Sequence, residues 1–309
     1  MNTTQKKILL AVDGSDQSLD AVRYVSKIMA QKDIKVVLFH VIRTIDEAFW
    51  DMGINPMGRS RMASIKAWET QQMKSAEKFM AKAHDILINT GVPKESAKVN
   101  IHKLKVGIAR DIAAESRNGY SAVVVGRKGL SKLKDIVLGS VANKLIEKIA
   151  HVPLWVVGGR PEPQKILLAF DSSEGSKKAV DYVGTMLGGS NSDVTLLYAI
   201  RDINILLKSL SPSEQEEFIR EGQVGIKPVF DEAKNSLINA GFDSDRVTTR
   251  LVTEVSSRAG AIIEEAKRGG YGTIVVGRRG LSKVEEFFMG RVSNKIVHMA
   301  KEMAVWVVS

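Results

Sequence analysis

Lys7-Ile8-Leu9-Leu10-Ala11-Val12-Asp13 recurs 158 residues later as Lys165-Ile166-Leu167-Leu168-Ala169-Phe170-Asp171, identical at six of seven positions. A second stretch, Val124-Val125-Gly126-Arg127-Lys128-Gly129-Leu130-Ser131-Lys132, returns 151 residues later as Val275-Val276-Gly277-Arg278-Arg279-Gly280-Leu281-Ser282-Lys283, and in both places a glycine and then Asn-Lys follow. Two matches in the same order define two copies of one domain, the second about seven residues shorter between the matched stretches. A chain of 309 residues suits two domains of about 150 residues each. Gly158 to Pro163, with two glycines and two prolines, reads as the linker, giving domains at 1–158 and 164–309.

Within each copy, short β-branched runs alternate with longer helical patterns, the signature of parallel strands joined by helical crossovers. In the first copy strands are expected at 7–12, 35–42, 97–103, 122–126 and 154–157, with helices at 16–30, 62–89, 108–117 and 140–150. In the second copy strands are expected at 165–170, 193–200, 246–251, 273–277 and 305–308. The strand runs are apolar almost throughout, as strands covered on both faces require, so the fold class is α/β with two tandem doubly wound domains. The last strand of each copy is short, apolar and at a sheet edge. The two are expected to pair with each other, making the chain a covalent pseudo-dimer.

Composition narrows the function. There is no cysteine, which removes disulfides and thiolate chemistry. No stretch approaches the roughly 18 apolar residues of a membrane span, and the first seven residues lead straight into a strand, so a cytoplasmic protein is expected. The formal net charge of +10 is unevenly placed: residues 1–158 carry 25 Lys+Arg against 15 Asp+Glu, the remainder 20 against 20. A nucleic-acid coat would charge both halves, and no aromatic stacking platform accompanies the lysines. An anionic ligand of the first copy, or an acidic partner, fits better; a solvated basic face is the plainer reading. No Walker A loop, no Gly-x-Ser-x-Gly elbow, no Gly-x-Gly-x-x-Gly after the first strand and no His-x3-His pair is present.

Ligands of doubly wound sheets bind beyond the carboxyl ends of the strands, where three segments stand out. Asp13 ends the first strand; its carboxylate can accept from a ribose hydroxyl or a base amine, or form an Asx turn in Asp-Gly-Ser-Asp. Asp171 repeats it. After the fourth strand come Gly126-x-x-Gly129, nine residues, and Gly139-Ser140 opening a helix. Glycines admit an anion close to backbone amides, Ser140 adds a hydroxyl, and the helix N-terminus adds partial positive charge. Val125 and Arg127 flank the first glycine, and Arg127, Lys128, Lys132 and Lys134 raise the local anion concentration. In the second copy Gly277, Gly280 and Gly290 keep the spacing, but Arg291 replaces Ser140, where it can either grip a phosphate or fill the pocket. The segment Ala48 to Met62, with Phe49, Trp50, Met52 and Met57, reads as a long loop suited to a lid, a partner surface or a helix-packing corner.

These residues resemble the universal stress proteins, whose ATP-binding members carry Gly-x2-Gly-x9-Gly-Ser/Thr after the fourth strand. The likeness spans the whole chain, including Asp13, the His40-Val41 step and the closing Pro153-Leu-Trp-Val-Val strand. It implies a parallel sheet of order 3-2-1-4-5, association through the last strand and an adenine nucleotide at the carboxyl edge, ATP with Mg2+ foremost. By the same resemblance Asp13 contacts the adenosine moiety and the Val41 backbone contacts adenine. Gly126, Gly129, Gly139 and Ser140 then hold ribose and phosphates, with the amides of Val141 and Ala142. The function this implies is a stress-associated nucleotide-dependent switch. A slow ATP-cleaving enzyme, with Asp135 and His40 the nearby candidates, and a nucleotide-independent scaffold are the alternatives, and two chains can associate further.

Overall fold

A computed structural model describes residues 5–29, 33–44, 56–130, 138–201, 211–280 and 289–309. The chain divides into two compact units, Met1–Ile149 and Ala150–Ser309. The first unit runs β1 (Lys6–Val12), α1 (Asp16–Ile28), β2 (Ile34–Ile42), α2 (Pro56–Asn89), β3 (Ala97–Lys103), α3 (Ile108–Glu115), β4 (Ala122–Gly126) and α4 (Ser140–Lys148). The second runs β5 (Leu154–Val157), β6 (Lys165–Phe170), α5 (Glu174–Leu187), β7 (Asp193–Arg201), α6 (Pro212–Asn239), β8 (Val247–Val255), α7 (Arg258–Arg268), β9 (Thr273–Gly277), α8 (Arg291–Met299) and β10 (Ala304–Val308).

Within the first unit the strands follow the expected order β3-β2-β1-β4, and the second unit repeats it as β8-β7-β6-β9-β10. Pairing within each copy is parallel, for example Lys7 with Lys35 on one side of β1 and Leu9 with Val123 on the other. Ile8, Leu9, Leu10, Val123 and Val124 have no exposed surface, which is why these strands read as unbroken apolar runs. Helix α1 starts at a capping serine, Ser15, whose hydroxyl accepts from the Ser18 amide, and Asp16 in its first turn complements the helix dipole. Leu19, Val22 and Val25 then bury one face of α1 on the sheet.

The expected pairing of the closing strands is present. Strand β5, contributed by the first copy, lies antiparallel to β10 inside the second unit, with Trp155 opposite Trp306. The two indoles stack with centroids 3.9 Å apart and planes 3° apart, the Trp155 Nε1–H donates to the Tyr182 hydroxyl at 3.1 Å, and the Tyr182 ring meets Trp306 edge-on.

Several boundaries differ from the sequence expectation. Helix α2 begins at Pro56, six residues before Met62, because proline at a first helical position is preorganised and lacks only an amide that would have had no partner. Helices α1, α3 and α4 each stop two residues early, at Ile28, Glu115 and Lys148. Strand β8 continues to Val255 rather than ending at Leu251, following β7 through an irregularity between Ala199 and Arg201. Phe49, Trp50 and Met52, and the side chains of Met57 and Met62, lie outside the described residues. No helix among the described residues is long and apolar enough to cross a membrane.

Candidate functional site

Strand β1 sits between β2 and β4, and the chain leaves it on opposite sides of the sheet, so a crevice opens at the carboxyl ends of β1 and β4. Asp13 stands at its floor. One carboxylate oxygen, Oδ1, accepts from the Ser15 amide at 3.1 Å and the Ser15 hydroxyl at 2.6 Å, the turn that the plainer reading of Asp-Gly-Ser-Asp expects. The other, Oδ2, accepts from the Leu130 amide at 3.1 Å, tying the end of β1 to the glycine loop. An ionised carboxylate offers about four acceptor positions, and the described contacts use three.

The glycine loop is built tightly against this carboxylate. A Cβ added at Gly129 would lie 2.1 Å from Asp13 Oδ2, and one at Gly139 would lie 3.2 Å from the Arg127 carbonyl. The Gly139 amide donates to that same carbonyl at 2.8 Å, bringing the start of α4 back onto the loop. Gly139 is the N-cap of α4 with no capping side chain, so the first-turn amides of Ser140, Val141 and Ala142 form the anion-facing end of a helix. Ser140 is exposed there, while Ala142 and Arg127 are buried. Asp13, Gly126, Arg127, Gly129, Gly139, Ser140, Val141 and Ala142 are thus gathered at one sheet edge, with Val125 one residue back in β4, opposite Ala11. Strand β1 pairs no further than Val12 with His40, so β2 carries Val41 past it, on the crevice side of the sheet edge. His40 Nδ1 lies 2.8 Å from the Val12 carbonyl; that oxygen only accepts, so Nδ1 carries the proton and the ring ties β2 to β1. Lys132, Lys134 and Asp135 lie outside the described residues.

Asp111 at the head of α3 was not legible as part of this edge. It is buried and receives the amides of Lys105 at 2.8 Å and Val106 at 3.1 Å, closing the loop that follows β3. Burial pushes its pKa up, but the amides of Lys105, Val106 and Gly107, helped by the His102 charge, outweigh that and hold it below the ordinary value of 3.8. Stability from this carboxylate is therefore present above 3.8 and lost as pH falls through the lower folded value. Asp111→Asn is expected to cost about 1–3 kcal/mol at neutral pH. The gap from the parent in urea unfolding should close only under acid below 3.8; a gap unchanged there would show that shape, not charge, matters.

The second unit repeats the frame. Asp171 accepts from the Ser173 amide at 3.2 Å and from its hydroxyl, and Ser172 takes the left-handed φ of 56° where Gly14 has 92°. A Cβ at Gly280 would lie 2.6 Å from Asp171 Oδ2, and the Gly290 amide donates to the Arg278 carbonyl at 2.8 Å. Asp171, Gly277, Gly280, Gly290 and Arg291 all line a cavity of about 380 Å³, so Arg291 borders the space and does not close it. The Ser293 hydroxyl, where the first copy has Ala142, donates to the Gly277 carbonyl at 2.7 Å and fixes α8 to β9. Sequence reasoning passed over Ser293 and Arg258, both of which line the cavity; aligning α4 with α8 would have exposed the first, and α3 with α7 the second.

Comparison with known proteins bears on the whole chain. The description of the "Universal stress protein family" matches residues 4–158 and again 162–309. A universal stress protein of Mycolicibacterium smegmatis is 24% identical over 314 residues, covering 97% of this chain and 96% of the relative. Among solved structures, a universal stress protein from Archaeoglobus fulgidus superposes with a TM-score of 0.63 at 17% identity, covering 99% of both chains. Another universal stress protein, solved in complex with cAMP, aligns with 47% of this chain and 96% of its own at 23% identity and a TM-score of 0.35.

Proposed function

We propose, because the chain belongs to the universal stress protein family, that its first unit binds ATP or a related adenine nucleotide and that occupancy of this crevice acts as a switch in a stress response. The observation that carries this reading is the direct seat of Gly129 on Asp13 together with the return of Gly139 to Arg127. A side chain at either glycine would press on Asp13 or on the Arg127 carbonyl and push the loop out of place, carrying its amides away from a phosphate chain. In this reading the helix α4 terminus and the Ser140 hydroxyl hold phosphates. Asp13 uses its remaining acceptor capacity on the ribose, and Val41 meets the base through its backbone. ATP supplies the triphosphate, with Mg2+ as its counter-ion. The chain's own part is to bind and orient it, and a protein partner reads the bound form.

Titration calorimetry of Mg-ATP into nucleotide-stripped full-length protein, with ADP, AMP and cAMP in parallel, tests this. A saturable adenine-nucleotide site that weakens about tenfold or more in Asp13→Ala is the expected result. No heat with any nucleotide, and none carried through purification, overturns the reading in favour of a scaffold that works without nucleotide.

A further inference from the structure

Strand β3 lies at the outer side of the first unit's sheet. It pairs with β2 from Ala97 to Lys103, and among the described residues nothing pairs with its other edge. Register assigns its side chains to two faces. Ile101 lies opposite His40, whose ring meets Phe79 of α2, so Val99, Ile101 and Lys103 share the α2 face. His102 stacks on Phe39 and stands 3.8 Å from Asp111 of α3, so Lys98, Asn100 and His102 share the α3 face. The strand has no proline and pairs without a bulge, and Val99 keeps 46% of its surface exposed. Of the usual devices that blunt a sheet edge, this one has only charge.

That charge is of one sign. Residues 97–121 carry five cations, Lys98, Lys103, Lys105, Arg110 and Arg117, all exposed. No ion pair joins any of them to a described residue. Both carboxylates of the segment are turned inward: Asp111 receives the amides of Lys105 and Val106, and Glu115 receives the Tyr120 hydroxyl at 2.5 Å and the Asn118 side chain at 3.0 Å. The second unit lacks the excess. The register that sets Val36 beside Ala97 also sets Val194 beside Val247, so Thr248, Thr249 and Arg250 stand where the first unit has Lys98, Val99 and Asn100. Thr248 is hydrogen-bonded to Thr195 at 2.8 Å, and Arg250 meets the buried Glu265 at 3.1 Å. Residues 247–272 hold four cations against three anions.

We propose that the free edge of β3 takes an extended acidic segment of a partner protein as an added strand. Main-chain groups of β3 supply the pairing, and the two faces supply the selection. Carboxylates belong on the face of Lys98 and α3, which carries Arg110 and Arg117, and β-branched side chains on the face of Val99 and Ile101. A second copy of β3 would set lysine beside lysine, so self-pairing is disfavoured. The one ring on this strand, His102, already stacks on Phe39, so there is no platform for the bases of a nucleic acid. The inference is independent of the nucleotide reading: Lys98 near the start of β3, and Arg117 between α3 and β4, lie toward the amino end of the sheet, away from the crevice.

The test is fluorescence anisotropy of a dye-labelled heptapeptide, Glu-Val-Glu-Val-Glu-Val-Glu, titrated with the full-length chain at low salt. Saturable binding of one peptide per chain is expected, weakening as salt rises. It should fall about tenfold or more in Lys98→Glu/Arg117→Glu. Both residues are exposed, so the melting temperature of this variant should match the parent's. The same peptide with lysine for glutamate should not bind. Of two peptides N-methylated at alternate residues, on the valines or on the inner glutamates, one should lose binding and the other keep it, because successive N–H groups of a strand point to opposite edges. Absence of binding, undiminished affinity in the double variant, or equal affinity for both methylated peptides and for an order-scrambled one overturns strand addition. Tighter binding of a single-stranded DNA oligomer, with displacement of the peptide, assigns the edge to nucleic acid and overturns it too.

Discussion

In Gly129→Ala, Mg-ATP affinity at the first crevice is expected to fall about tenfold to a hundredfold while the protein stays folded. The added carbon would lie 2.1 Å from Asp13 Oδ2, far inside any tolerated contact. Asp13 has a short side chain held by the Ser15 amide, the Ser15 hydroxyl and the Leu130 amide, so it cannot swing aside without breaking hydrogen bonds at 3.1, 2.6 or 3.1 Å. The alternative is retreat of the loop, which carries its amides away from the phosphates. Either route forfeits one or two bonds to charged groups, about 1.4–2.7 kcal/mol, which is the stated range of affinity. Calorimetry on the single variants and on Asp13→Ala/Gly129→Ala separates the routes. If displacement of Asp13 is the cause, Gly129→Ala adds little once Asp13 is gone. An undiminished affinity in Gly129→Ala would mean that the loop does not touch the nucleotide.

Trp306→Ala is expected to have the largest effect on stability, about 3–5 kcal/mol in denaturant unfolding followed by a probe in the second unit. Both indoles of the Trp155–Trp306 stack have no exposed surface, and strand register places them directly opposite, so a truncated Trp306 leaves a cavity that its neighbours cannot fill by sliding. The same change removes the edge contact with Tyr182, whose hydroxyl receives the Trp155 indole N–H. Trp306→Phe should cost markedly less, because a smaller ring keeps the stack. Equal losses in the two variants would place the stability in the indole of Trp306 and not in burial.

The strands were legible because their cause is local: a strand buried on both faces must be apolar at every position, and Ile8-Leu9-Leu10 and Val123-Val124 are. The ends of elements were less so. Met57-Gly58-Arg59-Ser60-Arg61 has neither helical period nor strong propensity, so Pro56, a residue equally at home in a loop, was the one sign that α2 begins before Met62. Strand β8 runs on past Leu251 through Thr253, where its continuation depends on what β7 offers alongside, which no window of sequence contains. At the candidate site the glycine loop was visible because spacing along one segment encodes it. The seat of Gly129 on Asp13 joins residues more than a hundred positions apart, and the rim of the second cavity draws on α7, the glycine loop and α8 together. Convergence of that kind is a property of topology, which no single window of sequence contains.

Two separate chains that meet through identical closing strands must each present a strand that fits its own copy, and every substitution at such a seam appears on both sides at once. Trp155 and Trp306 are encoded independently, and a linker as short as Gly158 to Pro163 holds their strands at an effective concentration on the order of millimolar, whatever the abundance of the protein. Self-complementarity is then no longer required of either copy. One half can drift while the other keeps the seam closed, and the change from Ser140 to Arg291 is the divergence that this freedom permits.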